Sequence, residues 1–291
     1  MILDICQVAF YSAIKMHRPL KYFLVWIALA CLIQVAWAAD THVPERSAPL
    51  MFGVLNQQSP IQTAERWNPI LRYLTKKTGI PLHLKIGATV KQTDAMMGRE
   101  EFDLAFTNHN FQSEFDGKYK VLVRWAGNPI HGALVVHEDS KARSLSDLQG
   151  KTVGFPSAEA FVAYAVPMVA LKDARVSVMQ KFAGSQDGAL AQLKARQVEA
   201  AAVNTRFLEQ YAKREHLRYR IIFQSEPFHE LPIVVHPRVA AERVAALKQA
   251  LLELAQDPSA ADICAERCTG FEMTEEHEYD NVRRVYRMIG K

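Results

Sequence analysis

Short apolar runs alternate with segments of helical period along most of this chain, and few folds accommodate that alternation. Pro49 to Leu55 reads as a strand. Ser59-Pro60-Ile61-Gln62 then supplies an N-cap, a proline at the first helical position and a Gln three residues after the cap. Ala64, Trp67, Ile70, Leu71 and Leu74 share one helix face, which makes Trp67 a core residue, and Gly79 ends the helix. His83 to Ile86 reads as a second strand, Val90 to Arg99 as a second helix and Phe102 to Thr107 as a third strand. Such a β-α-β-α-β series predicts a parallel sheet.

A second series follows. Strands are expected at 132–137, 151–155, 176–181, 200–203, 219–223 and 231–236. A short capped helix at 144–148 and longer ones at 160–172, 188–196, 205–214, 239–255 and 280–289 lie between and after them. Two similar α/β units joined near 126–131 and again near 224–228 imply two lobes crossed twice by the chain. The expected division is lobe 1 over 39–128, lobe 2 over 129–225 and a return to lobe 1 over 226–291. Ligands of open α/β sheets bind beyond the carboxyl ends of strands, so the cleft between lobes is the expected site.

Tyr22 to Ala39 (YFLVWIALACLIQVAWAA) is apolar except for Gln34, follows Lys15, Arg18 and Lys21, and closes with Ala36-Trp37-Ala38. This pattern predicts a signal peptide over 1–38, cleaved after Ala38, and export to the periplasm. Its length also allows an uncleaved anchor. Cys31 allows a lipoprotein reading, although apolar residues follow it, and Met16 offers an alternative start. After cleavage Cys264 and Cys268 remain. In an oxidising compartment they are expected to form a local disulfide near a helix end. A C-x3-C metal site with His277 is the alternative, without a fourth ligand.

Composition excludes several classes. With 49% hydrophobic and 23% charged residues the chain has material for a core, and only one long apolar run exists. A net charge of +4 without a Lys/Arg stripe argues against nucleic acid. No G-x-S-x-G, H-E-x-x-H or P-loop pattern occurs, so no enzyme is expected. Glu100-Glu101 and Glu275-Glu276 diverge on a helix. His131/His137 and His229/His236 straddle strands without further ligands at metal spacing, so neither metal nor cofactor is expected.

FGVLNQQSPIQTAERWNPILRYLTKKTGIPLHL resembles the opening of the phosphonate-binding family of periplasmic substrate-binding proteins. EEFDLAFTNHNF is similar to that family's third strand with its closing aromatic. HGALVVHEDSKARSLSDLQGKTVGF matches its passage into the second lobe, and FAGSQDGALAQLKARQVEAAAVN matches its Gly-Ser-His-Asp block. The resemblance implies the type 2 periplasmic binding fold, an α/β architecture whose two lobes close on a ligand. It implies a small-molecule solute delivered to an ABC permease, with a membrane sensor kinase as the alternative partner, and a chain expected to act as a monomer.

The family grips its anion with a Ser-Thr-Ser-Gly turn at the start of the first long helix of lobe 2. Here Ala160-Phe161-Val162-Ala163 stand there, with Ser157 just upstream. Gln186 replaces the family's His and Asn204 the Asp that meets an amino group. These departures predict a ligand other than aminoethylphosphonate, either a different oxyanion or a neutral, partly apolar molecule such as a trafficked lipid or metabolite. The expected ligand-binding residues are Asn56, Gln57, Gln58, Asn108, His109, Phe111, His131, Ser157, Phe161, Gln186 and Asn204. Ala substitutions of Gln186 or Asn204 are expected to weaken binding with little effect on the melting of the empty protein. Glu226, Phe228 and His229 after the return crossover are weaker candidates.

Overall fold

The computed structural model describes residues 48–56, 60–263 and 269–291. Residues 1–47 with the expected signal peptide, Gln57, Gln58, the expected Ser59 cap and the Cys264/Cys268 pair lie outside the described residues. The chain runs through β1 (Leu50–Val54), α1 (Pro60–Thr78), β2 (Leu82–Lys85), α2 (Val90–Gly98), β3 (Leu104–Phe106) and β4 (Lys120–Trp125). It continues through β5 (Gly132–His137), β6 (Thr152–Phe155), α3 (Val166–Asp173), β7 (Met179–Phe182), α4 (Gln186–Lys194) and β8 (Ala200–Asn204). Then come α5 (Thr205–Glu215), β9 (Tyr219–Gln224), β10 (Pro232–Val235), α6 (Ala241–Glu253), β11 (Phe271–Glu272) and α7 (Asp280–Met288).

These strands form two sheets. A six-stranded sheet has the order β11-β4-β10-β3-β1-β2, and a five-stranded sheet has the order β7-β6-β8-β5-β9. The parallel expectation holds for β1 with β2 and β3, and for β6 with β7 and β8. It fails elsewhere: β10 runs antiparallel to β3 and β4, and β5 antiparallel to β8 and β9. Each sheet takes strands after a crossing between sheets, and a returning strand arrives in the opposite sense. The strand β4 was not anticipated. The 176–181 run enters its sheet late, pairing only from Met179.

The chain leaves the first sheet after Trp125 and joins the second at Gly132, and it goes back between Gln224 and Pro232. The two crossing segments bond to each other, with Ile130 and Phe228 exchanging backbone hydrogen bonds of 2.8 and 2.9 Å. This double connection, the two expected crossings of the chain, forms the hinge between the two sheets.

Helix α1 starts at Pro60 and ends at Gly79, whose φ of 72° only glycine adopts without strain. Its apolar face seats Trp67 at the centre of the first core, with ring centroids 4.9 Å from Phe52, 4.8 Å from Phe106 and 5.8 Å from Trp125. Aromatic contacts of this kind add about 0.5–1.5 kcal/mol each beyond area burial. The second sheet is covered on both faces, by α4 and α5 on one side and by α3 on the other, with Leu134 and Val135 of β5 fully buried. A third cluster, built from α7, joins the hinge to both sides. Phe111 stacks on Tyr279 at 4.6 Å, while Phe161 packs 5.0 Å from Phe228 and 5.1 Å from Tyr286.

Candidate functional site

A cleft of about 620 Å³ lies between the two sheets. The first sheet and its connections contribute Leu55, Asn56, Arg66, Val90, Phe106, Asn108, His109, Trp125, Glu230 and Leu231. The second contributes three short stretches, Pro156 to Ala163, Gly184 to Asp187 and Asn204 to Gln210, and Ile130 of the hinge closes the floor. The wall is mixed, with apolar and aromatic side chains (Phe106, Trp125, Phe161, Phe207, Leu231) alongside about as many polar and charged ones.

Each stretch from the second sheet is the start of a helix, and helix starts present free N–H groups and a partial positive charge. Two of the three are capped by their own side chains. Ser185 accepts from the Gly188 N–H at 3.0 Å, and Asn204 accepts from the Arg206 N–H at 2.9 Å. The third is not, because Ala160 has no side chain to cap with. Here Phe161 to Ala165 form a π-helical turn before α3. Its first bond runs from the Ala165 N–H to the Ala160 carbonyl at 3.0 Å. The N–H groups of Phe161, Val162 and Ala163 therefore precede the first helical donor, the Ala165 N–H.

The turn is held close to β5. A Cβ on Gly132 would sit 2.1 Å from the Val162 carbonyl oxygen, so only glycine lets strand and turn approach this far. Phe161 both lines the cleft and packs beneath it on Phe228 and Tyr286.

Across the cleft, the Arg66 guanidinium lies 4.5 Å above the Trp125 ring, a cation–π contact that orients a positive charge. Asn56 is held by the Gly87 carbonyl at 2.8 Å and by the Thr93 hydroxyl at 2.6 Å. Asn108 and His109 follow β3 in a turn, both buried. His109 Nδ1 stands 2.8 Å from Asp94 Oδ1, and its ring meets Tyr286 edge-on at 6.2 Å. Burial pushes the Tyr286 phenol well above its ordinary range, so the hydroxyl stays protonated.

The structure thus brings Asn56, Asn108, His109, Ser157, Phe161, Gln186 and Asn204 to one cleft. It does not bring Phe111 or His131 there. Phe111 is buried under the Arg283 guanidinium and against Tyr279, and an aromatic after a strand serves a core as readily as a cleft. His131 sits in the hinge with Nδ1 3.0 Å from the Ser225 carbonyl. Gln186 and Asn204 also carry structural bonds: the Asn204 N–H donates to Gln186 Oε1 at 2.6 Å, in addition to the Asn204 cap. Arg66, Asp94, Arg206 and Glu230 were missed. Arg66 belongs to the Arg-Trp pair of the opening motif, where its neighbour Trp67 drew attention as core. Among the described residues no three His, Cys, Asp or Glu side chains gather to hold a metal, and no helix is long and apolar enough to cross a membrane.

Residues 52–279 match the family model described as the periplasmic substrate-binding protein of a phosphonate ABC transporter. The chain belongs to this family. Membership gives the binding protein a small-molecule ligand, an ABC permease as partner and a periplasmic location. Among curated proteins no sequence matches significantly. Solved structures share its fold at low identity. A Xanthomonas citri protein bound to ATP has a TM-score of 0.72 at 20% identity, over 84% of this chain and 97% of that one. PhnD1 from Prochlorococcus marinus, in complex with methylphosphonate, has a TM-score of 0.69 at 16% identity, over 83% and 98%. A binding-protein component of a phosphonate transporter from Pseudomonas aeruginosa has 0.66 at 16%, over 81% and 85%. They show that the binding protein has the type 2 periplasmic fold.

Proposed function

We propose that this protein captures a phosphorus oxyanion carrying an organic substituent, such as an alkyl- or arylphosphonate, and delivers it to an ABC importer. The observation that carries the reading is the uncapped helix start at Phe161 to Ala163, the one of three at the cleft whose amides are not engaged by a capping side chain. An oxyanion supplies the acceptors those amides need, and the helix charge favours it. Arg66 offers the balancing cation. The apolar surface from Phe106, Phe161, Phe207 and Leu231 suits the organic part better than it suits free phosphate.

The lost hydroxyls of the family turn fit this reading, because backbone amides alone bind an oxyanion. The substitution of Asn204 for an acidic residue fits a ligand without an amino group. Methylphosphonate and ATP, held by two proteins of the same fold, both present phosphorus oxyanions. In keeping with its family, the protein acts in this proposal as a carrier that releases its ligand unchanged. Export by the leader with cleavage after Ala38, and action as a monomer, complete the proposal.

The test is thermal melting of the chain from Ala39 with phosphate, alkyl- and arylphosphonates, phosphate esters, sulfonates and an apolar extract. Ligand at about a hundred times its Kd adds roughly 2.7 kcal/mol, on the order of 5–10 °C for a chain of this size. The proposal expects that shift from an organophosphonate. A shift from the apolar extract alone would replace the oxyanion with a neutral ligand.

A further inference from the structure

One corner of the cleft is furnished differently from the amide turn. His109 is only 1% exposed, lines the cleft, and has Nδ1 2.8 Å from the Asp94 carboxylate. A carboxylate only accepts, so Nδ1 carries the hydrogen, and on a neutral ring Nε2 is left with a lone pair. The ring is fixed on other sides too, edge-on to Tyr286 and with its backbone N–H donating to Thr107 Oγ1 at 2.9 Å. No group among the described residues donates to Nε2. Beside it, Asn108 makes no side-chain cap bond, and its buried Oδ1 has no partner.

We infer that His109, with Asp94 as its positioning residue, reads a proton on the ligand and so selects oxyanions that retain an O–H. The inference rests on the oxyanion reading above. A singly protonated phosphonate offers deprotonated oxygens to the Phe161–Ala163 amides and its O–H to Nε2. One hydrogen is then shared between ligand oxygen and Nε2, whichever atom holds it. A sulfonate of the same shape and charge has no such hydrogen and would set a lone pair against a lone pair. Hydrogen bonds left unmade at a buried acceptor discriminate strongly between otherwise isosteric ligands.

The experiment is calorimetric titration at neutral pH with matched phosphonate and sulfonate pairs: methyl, ethyl and phenyl. The expected result is that each phosphonate binds about tenfold or more tightly than its sulfonate. His109→Phe fills the same space without ring nitrogens and is expected to bring the two Kd values together. Asp94→Asn can donate to Nδ1 and turn Nε2 into the donor, so it is expected to weaken the phosphonate while the sulfonate gains. A merely structural role would lower both affinities together, so the selectivity ratio is the readout, and apo melting checks that each variant folds. Equal binding of both anions by the wild type, or an unchanged ratio in folded His109→Phe, would overturn the inference and leave the oxyanion reading intact. Binding of neither anion would overturn both.

Discussion

Arg206 and Glu230 meet at 2.6 Å across the cleft, joining α5 of the second sheet to the connection that leads into β10 of the first. Arg206 also donates to the Asn128 carbonyl at 3.2 Å, inside the hinge. Opening the lobes must break the ion pair. Arg206 is about half exposed, so the pair contributes on the order of 0–1 kcal/mol. Glu230→Gln should therefore change the melting temperature little. It should enlarge the apo radius of gyration in X-ray scattering and weaken ligand binding by about fivefold at most. An unchanged scattering curve and Kd would show that the ion pair does not help hold the lobes together.

Gln186 and Asn204 carry structural hydrogen bonds that the sequence reading does not assign them. Asn204→Ala removes the cap of α5 and should cost about 1 kcal/mol. Gln186→Ala leaves the buried Asn204 N–H without its acceptor and should cost about 1–3 kcal/mol. Urea melts of the empty proteins measure both. Wild-type stability in either variant would return the residue to a role in binding alone.

Gly132 sets the position of the amide turn. Gly132→Ala forces Val162 away from β5, an overpacking worth about 1–3 kcal/mol. It should weaken ligand binding more than a substitution of equal cost remote from the turn, because it moves the donors themselves. Calorimetry on both variants decides this.

Acid should unfold the protein through surface carboxylates far from the cleft. The Arg196 hydrogen bond brings the Asp139 pKa from 3.8 down to about 2, and the bonds of Ser259 and Lys77 hold Asp257 far below its ordinary range. A depressed folded pKa gives stability that is complete above the unfolded value and lost as pH falls through the folded one. Denaturant midpoints should stay level down to about pH 4 and decline toward about pH 2 on account of these groups. Asp139→Asn should flatten the upper part of that decline, and an identical acid limb would exclude the residue.

The fold was legible where local chemistry and period agree. Pro60, the Trp67 face and Gly79 delimit α1 within a residue, and Gly132 to His137 is a strand with the expected ends. The antiparallel strands were not legible, since a strand's direction depends on which sheet the chain has just left. Lys120 to Trp125, by contrast, lies between Asp116-Gly117 and Gly127-Asn128-Pro129, turn signals on both sides that made this strand legible although the sequence reading omits it. In the site, the polar residues after strand ends, Asn56, Asn108 and His109, line the cleft. Phe111 sits in a core cluster instead, because an aromatic side chain suits a core as well as a cleft. Asp94 and Glu230 could not be found from spacing, as each acts through a residue far along the chain.

The central claim is that the amides of Phe161, Val162 and Ala163 seat a phosphorus oxyanion. Amide nitrogen-15 chemical shifts, followed while the protein is titrated with an organophosphonate that stabilises it, test this most directly. The account predicts saturable shifts largest at residues 161–163, accompanied by His109 and Asn108. Saturable binding that leaves those three amides unmoved would contradict it.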